Sequence, residues 1–337
     1  MKKCVLFALV VAVTSICSGQ WLERQVVIGD TLGGVNYPEG IVVNPVSGNV
    51  YIETSPCDQV FNPATMQKVR GFDWGWVAFC PASGKGYLCR RDSAAVIDAT
   101  ADTLIGQIAL PLRSPWAFAY SPLSNRLYLG SDSDETLLVF DPVGDSVVHK
   151  VGVGGDVHRL LWDSTWNRLY IGADSDSGLL KVLDCTADTL LPGILTGVSF
   201  VSSLTSSTAS HKLYCAGFDN RWIPQVVVVN TDSLGLVDTV PGLPASGNTI
   251  YSPVTDRLYV PYGAAPYDDT LYVVDCRNDS VRARLPLPVR ELAASTLDGR
   301  VYAAYYDSAE IVVVDTTDSV SGSIPLPTAA DAEALIF

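Results

Sequence analysis

From residue 38 onward, short apolar runs alternate with clusters of Gly, Asn, Asp, Ser and Pro, and no stretch carries the three-and-four spacing of an amphipathic helix. Residues 126–141, RLYLGSDSDETLLVFD, show the pattern: a basic residue, Leu, Tyr and a short apolar run, then an Asx-rich turn, then a second apolar run ending in Asp. The tyrosine of this unit recurs at Tyr51, Tyr87, Tyr128, Tyr170, Tyr214, Tyr259 and Tyr302, at intervals of 36, 41, 42, 44, 45 and 43 residues. Three residues before it stands Gly48, Gly84, Asn125, Asn167, His211, Asp256 or Gly299, types that tolerate a left-handed backbone. Two residues before it is a basic residue in six of the seven copies, so the column marks a tight turn feeding a strand.

A second column closes each apolar run: Asn62, Asp98, Asp141, Asp184, Asn230, Asp275 and Asp315. In six copies another aspartate follows within a few residues, at Asp102, Asp145, Asp188, Asp232, Asp279 and Asp318. Short Asx side chains bond the backbone two residues on, which ends a strand and begins a turn. Each unit carries four strand-like runs, placed in the third copy at residues 116–120, 126–130, 136–140 and 146–151. The third run is often apolar throughout, as at Val226 to Val229 and Ile311 to Val314, the mark of a strand buried on both faces. Four-strand units repeating every 36 to 45 residues predict an all-β fold, a seven-bladed β-propeller of four-stranded antiparallel blades.

The run from Leu127 to Asp141 resembles the YVTN-repeat β-propellers, secreted bacterial proteins also described as quinoprotein amine dehydrogenase-like or YncE-like. The likeness spans residues 38 to 325 and is weakest in the first copy, where residues 53–58 and Asn62 replace the usual turn. It implies a seven-bladed ring and an extracytoplasmic protein, without implying one activity. Residues 24–29 resemble a fourth strand and residues 333–337 a first strand, so the alternative is an incomplete eight-bladed ring. The expected organisation is a signal peptide over residues 1–19 and one propeller domain over residues 20–337.

The amino terminus supports that address. Lys2 and Lys3 precede an apolar run at residues 5–13, and small residues follow at Cys17, Ser18 and Gly19, the layout of a secretory signal. The run is short for a spanning helix, which needs about 20 residues, and Ile16 before Cys17 fits a lipoprotein signal poorly. A secreted or periplasmic monomer without a transmembrane anchor is expected. The chain has 22 Lys and Arg against 36 Asp and Glu, a net charge of −14, which opposes a nucleic-acid partner.

Candidate chemistry lies where the copies stop agreeing. Twelve residues before each marker tyrosine stand Glu39, Gly75, Trp116, His158, Ser202, Gly247 and Arg290, a non-repeating column expected at the start of the inner strands, around a central channel mouth. A ligand there would meet Glu39, Trp116, His158, Arg159, Arg290 and Glu291. His158, Arg290 and Glu39 are the catalytic candidates: His158 offers an imidazole as acid or base, Arg290 can hold a carboxylate bidentately, and Trp116 offers a stacking surface. The haem-attachment, zinc-protease and nucleophile-elbow motifs are absent and only three histidines occur, so no cofactor is expected. The loops at Asp132 and Asp134 and at Asp174 and Asp176 hint weakly at calcium. Residues 262–269 form the longest loop of this kind and a candidate partner contact. Of six cysteines beyond the signal, Cys80 and Cys89 flank one hairpin and form the candidate disulfide. The expected function is a rigid binding scaffold for protein or polysaccharide ligands at the loop face, with a lactonase- or oxidoreductase-type enzyme as the alternative.

Overall fold

The computed structural model describes residues 38–54, 57–65, 67–73, 75–175, 177–240, 243, 247–262, 270–305 and 310–325. Among them every regular element is a strand apart from one 3-10 turn at Pro81–Ser83. The strands form seven antiparallel sheets, each hydrogen-bonded in sequence order, and the protein is a seven-bladed β-propeller. Blades 1 to 7 occupy residues 38–73, 76–109, 115–152, 157–195, 200–239, 250–285 and 289–325. Two compact units hold them: blades 2 to 5 with residues 44–47 in one, and blades 1, 6 and 7 in the other. The terminal segments proposed as an extra blade lie outside the described residues, as do residues 263–269 of the long loop.

Blade 3 shows how sequence becomes sheet. Its strands are Pro115–Ser121, Arg126–Ser131, Thr136–Asp141 and Ser146–Gly152, within one residue of the expected runs. Tyr128 sits opposite Ala119 on one side and Val139 on the other. The second and third strands are buried almost throughout, while the fourth is mostly exposed. All seven marker tyrosines are among the largest fully buried side chains. The cores lie between consecutive blades: Tyr87, Cys80 and Cys89 of blade 2 pack with Leu127, Leu129 and Phe140 of blade 3, and Tyr170 of blade 4 packs with Leu213 and Val229 of blade 5. The close approach explains Gly172, where an added Cβ would lie 2.7 Å from Val201 Cγ1 of the next blade.

All seven residues of the first turn column have positive φ, from +47° at Asn167 to +74° at Gly48. The second aspartate column does more than close turns. Asp145 in blade 3 accepts hydrogen bonds from Tyr87 Oη and Lys85 Nζ of blade 2, each at 2.6 Å. Asp188 in blade 4 accepts from Tyr128 Oη at 2.8 Å and lies 3.6 Å from Arg126 Nε, both of blade 3. Asp318 in blade 7 takes Arg257 and Arg282 of blade 6. Asp102 accepts from Asn44 Nδ2 at 2.7 Å. In blades 2 and 3 the basic residue and the tyrosine thus form a latch onto the turn of the following blade, and in blade 6 arginines alone make the equivalent contact. Burial, then the hydrogen bond from the phenol to Asp145, push the Tyr87 phenol far above its ordinary range.

One blade departs from the pattern, and one expectation needs correction. In blade 5 the left-handed turn position is Leu234, φ +56°, rather than Asp232. Asp232 instead accepts from Trp166 Nε1 at 3.0 Å and lies 2.8 Å from His211 Nδ1. Hydrogen bonds from His211 and then Trp166 hold its carboxyl below the usual range. The correction concerns the candidate disulfide: Cys80 and Cys89 are free and buried. Cys80 pairs across the hairpin with Lys85, beside the turn, whereas Cys89 pairs with Trp76 at the far end. Four residues of strand, about 13 Å at the usual rise, separate them, well beyond the reach of a disulfide. Burial pushes the Cys80 thiol up to about 12.

Candidate functional site

The non-repeating column has a structural basis. Glu39, Trp116, His158, Ser202 and Arg290 each fall at the register shift between the first and second strands of their blade, the extra residue of a β-bulge. A bulge leaves its residue outside the ladder and re-aims its side chain, so these positions are free to vary while the sheet around them is not. Glu39 lies on Pro38–Val43 of blade 1, and Arg290 and Glu291 lie on Val289–Ala294 of blade 7. The side chains of these three fall outside the described residues.

In the unit of blades 2 to 5, the starts of the first strands carry a series of rings, on a bulge in blades 3 and 4. Trp76 opens blade 2 and meets Trp116 of blade 3 edge-on, with centroids 4.7 Å apart. His158 of blade 4 lies with its ring 4.8 Å from Phe200, the first strand residue of blade 5. His158 Nε2 is 3.0 Å from Asp174 Oδ1, close enough for an ion pair but out of line for a hydrogen bond. Arg159 turns aside, donating through Nε to Ser202 O at 2.7 Å and through Nη1 to His158 O at 2.8 Å. It acts as a brace between two bulges rather than as a free cation.

The chain adds residues here that the repeat does not announce. Phe218 pairs with Phe200 across the first two strands of blade 5, and Trp222 follows in the loop leading to the third strand. Phe200, Phe218 and Trp222 form a triangle with centroid separations of 6.4, 6.0 and 5.9 Å. Trp222 is 70% exposed at φ +62°, and Ile223 beside it is 53% exposed. A bulky residue with left-handed backbone is an outlier that costs about 1–2 kcal/mol. Asp219 holds it there: its carbonyl accepts from Trp222 N at 3.0 Å, its carboxylate from Arg221 N and Ile223 N at 2.8 Å, and its own N–H donates to Ile223 O at 3.0 Å.

Of the four weak calcium candidates, two have other partners and one falls outside the described residues. Asp134 accepts from Arg113 N and lies 3.6 Å from Arg113 Nε, Asp174 pairs with His158, and Asp176 lies outside the described residues. Among the described residues no group of three or more His, Cys, Asp or Glu is placed to hold a metal. The loop holding Asp174 is tied on both sides, by Asp174 N to Asp156 O at 2.9 Å and Ser175 N to Ser199 O at 3.0 Å.

No family model matches the chain, and no curated protein matches it by sequence. Solved structures do match in fold. The computationally designed Ika8 protein superposes with a TM-score of 0.67 at 16% identity, over 90% of this chain and 89% of that one. The WD40 domain of Neurospora crassa Pan2 gives 0.58 at 15% identity over 83% and 86%. Kuenenia stuttgartiensis hydrazine synthase gives 0.58 at 14% over 77% and 87%. At these identities the likeness is of fold alone. It spans enzymes and WD40 domains, so the site must be read from its own residues. Among the described residues no helix is long and apolar enough to cross a membrane.

Proposed function

We propose that the protein is an exported, YVTN-like propeller serving as a rigid binding scaffold for protein or glycan ligands. Recognition lies on the strand ends that carry Trp116, His158, Phe200, Phe218 and Trp222. The observation that carries this reading is Trp222. An exposed tryptophan in a strained conformation, on a loop whose backbone is closed by four hydrogen bonds to Asp219, is a large contact surface whose backbone ordering entropy is already spent. Loops on stiff frames commonly take this role, and exposed aromatics dominate the energetics of recognition.

The competing reading, an enzyme of lactonase or oxidoreductase type, has the His158–Asp174 pair in its favour. One pair of experiments separates the two. Titrating soluble glycans and peptides into the protein should shift tryptophan emission, and Trp222→Ala should abolish the shift without lowering Tm. Turnover of lactone or amine substrates that disappears in His158→Gln would replace the scaffold reading with the enzyme.

A further inference from the structure

We infer that the ligand is a neutral polysaccharide lying along two aromatic stations, Trp222 with Phe200 and Phe218 at one and Trp116 with Trp76 at the other. This rests on the scaffold reading above and names its ligand class. The stations sit on consecutive blades of one unit: Trp76 and Trp116 open blades 2 and 3, His158 lies on the bulge of blade 4, and Phe200 opens blade 5. Two ring clusters joined by a polar segment match a chain-like ligand with apolar ring faces and hydroxyl edges.

The polar groups fit hydroxyls better than charges. The Asp174 side chain is 43% exposed, with Oδ1 buried against His158, and the Ser175 and Ser177 hydroxyls lie 2.9 Å apart in the same loop. The carboxylate accepts and the serine hydroxyls both donate and accept, which together suits vicinal hydroxyls. Arg159 is spent on backbone carbonyls, so it supplies no free cation for an anionic chain. The net charge of −14 adds repulsion against a polyanion. A folded protein partner would need a patch near 800 Å² with an apolar centre, on the order of a standard interface. Here the exposed ring surface is divided between separate tryptophans, at 70% and 43% exposure.

Affinity electrophoresis of the full chain through gels containing neutral α-glucan, β-glucan, xylan or galactomannan tests the inference, with alginate as the polyanion and a proline-rich peptide titration as the protein-type ligand. At least one neutral polymer should retard the wild type. Trp222→Ala should weaken retardation at least tenfold, and Trp116→Ala should weaken the polymer while sparing the matching disaccharide. His211→Ala, at the opposite strand ends, should change nothing. Retardation by alginate alone, or by no neutral polymer while the peptide quenches Trp222, overturns the polysaccharide inference and leaves the scaffold reading standing. No response of Trp222 to any probe overturns both.

Discussion

Asp145 is the most informative residue to change, because one carboxylate serves a turn and two side chains of the preceding blade. Tyr87 is 1% exposed, and its hydroxyl has Asp145 Oδ1 at 2.6 Å and Pro142 O at 3.0 Å. Asp145→Ala removes the stronger acceptor from a buried donor, a loss of about 1.5–3 kcal/mol for a hydrogen bond to a charged group. The Lys85 pair is part-exposed and adds only about 0.5 kcal/mol. Alanine at φ +50° adds about 1 kcal/mol of backbone strain. The sum is about 3–4.5 kcal/mol. Asp145→Gly should recover the strain component, and Asp145→Asn, which keeps an acceptor and tolerates the left-handed backbone, should cost about 1 kcal/mol. Urea unfolding followed by far-UV circular dichroism and fluorescence gives each value. The decisive figure is the coupling between Asp145→Ala and Tyr87→Phe, expected at about 1–2 kcal/mol. Additive effects, or an Asp145→Ala variant within about 0.5 kcal/mol of wild type, would refute the latch.

Other outcomes follow from the same geometry. Gly172→Ala should lose about 1–3 kcal/mol by overpacking against Val201, with partial recovery in the Val201→Ala background; thermal melts of the two variants decide it. Trp222→Gly should be as stable as wild type or about 1 kcal/mol more stable, through relief of positive φ, while losing ligand; a marked drop in Tm would mean that Trp222 is a packing residue. Cys80, Cys89, Cys185 and Cys215 should resist a thiol reagent at pH 8 in the native protein and react in urea, whereas a Cys80–Cys89 disulfide would leave that pair unreactive in both. Burial raises the Cys80, Cys185 and Cys215 thiols to about 12. Their contribution is intact below the unfolded thiol value of about 8.5 and is lost as pH rises toward 12, so Tm should fall steadily above pH 9 and a flat profile would contradict the burial.

What could be read in the sequence was whatever each blade repeats. The tyrosine and its left-handed turn recur because a buried ring and a tight hairpin are local demands, and all seven turn positions have the expected backbone. The second aspartate was legible as a turn-former but not as an acceptor, because Tyr87 and Asp145 are 58 residues apart and meet only when blades pack. In blade 5 Asp232 comes two residues before the left-handed position, which Leu234 fills, and so takes Trp166 and His211 as partners instead. The Cys80–Cys89 pairing failed because flanking a hairpin says nothing about register, and the register puts them at opposite ends. The variable column pointed to the bulges, and so to Trp116 and His158, for a reason that only the strand pairing reveals. Phe218 and Trp222 lie outside that column. Their signal was a lone tryptophan after an Asp-Asn-Arg turn, which has no counterpart in the other copies.

The central claim is that ligand is held at the strand ends bearing Trp222 and Trp116. The indole N–H resonances of the seven tryptophans, assigned by single substitutions, test it residue by residue during a titration with the retarding polysaccharide. The Trp222 and Trp116 signals should shift. Those of Trp162 and Trp166, held by Asn167 and Asp232 toward the other end of blade 4, should stay in place. Shifts confined to Trp162 and Trp166, with Trp222 unmoved at saturation, would contradict the account.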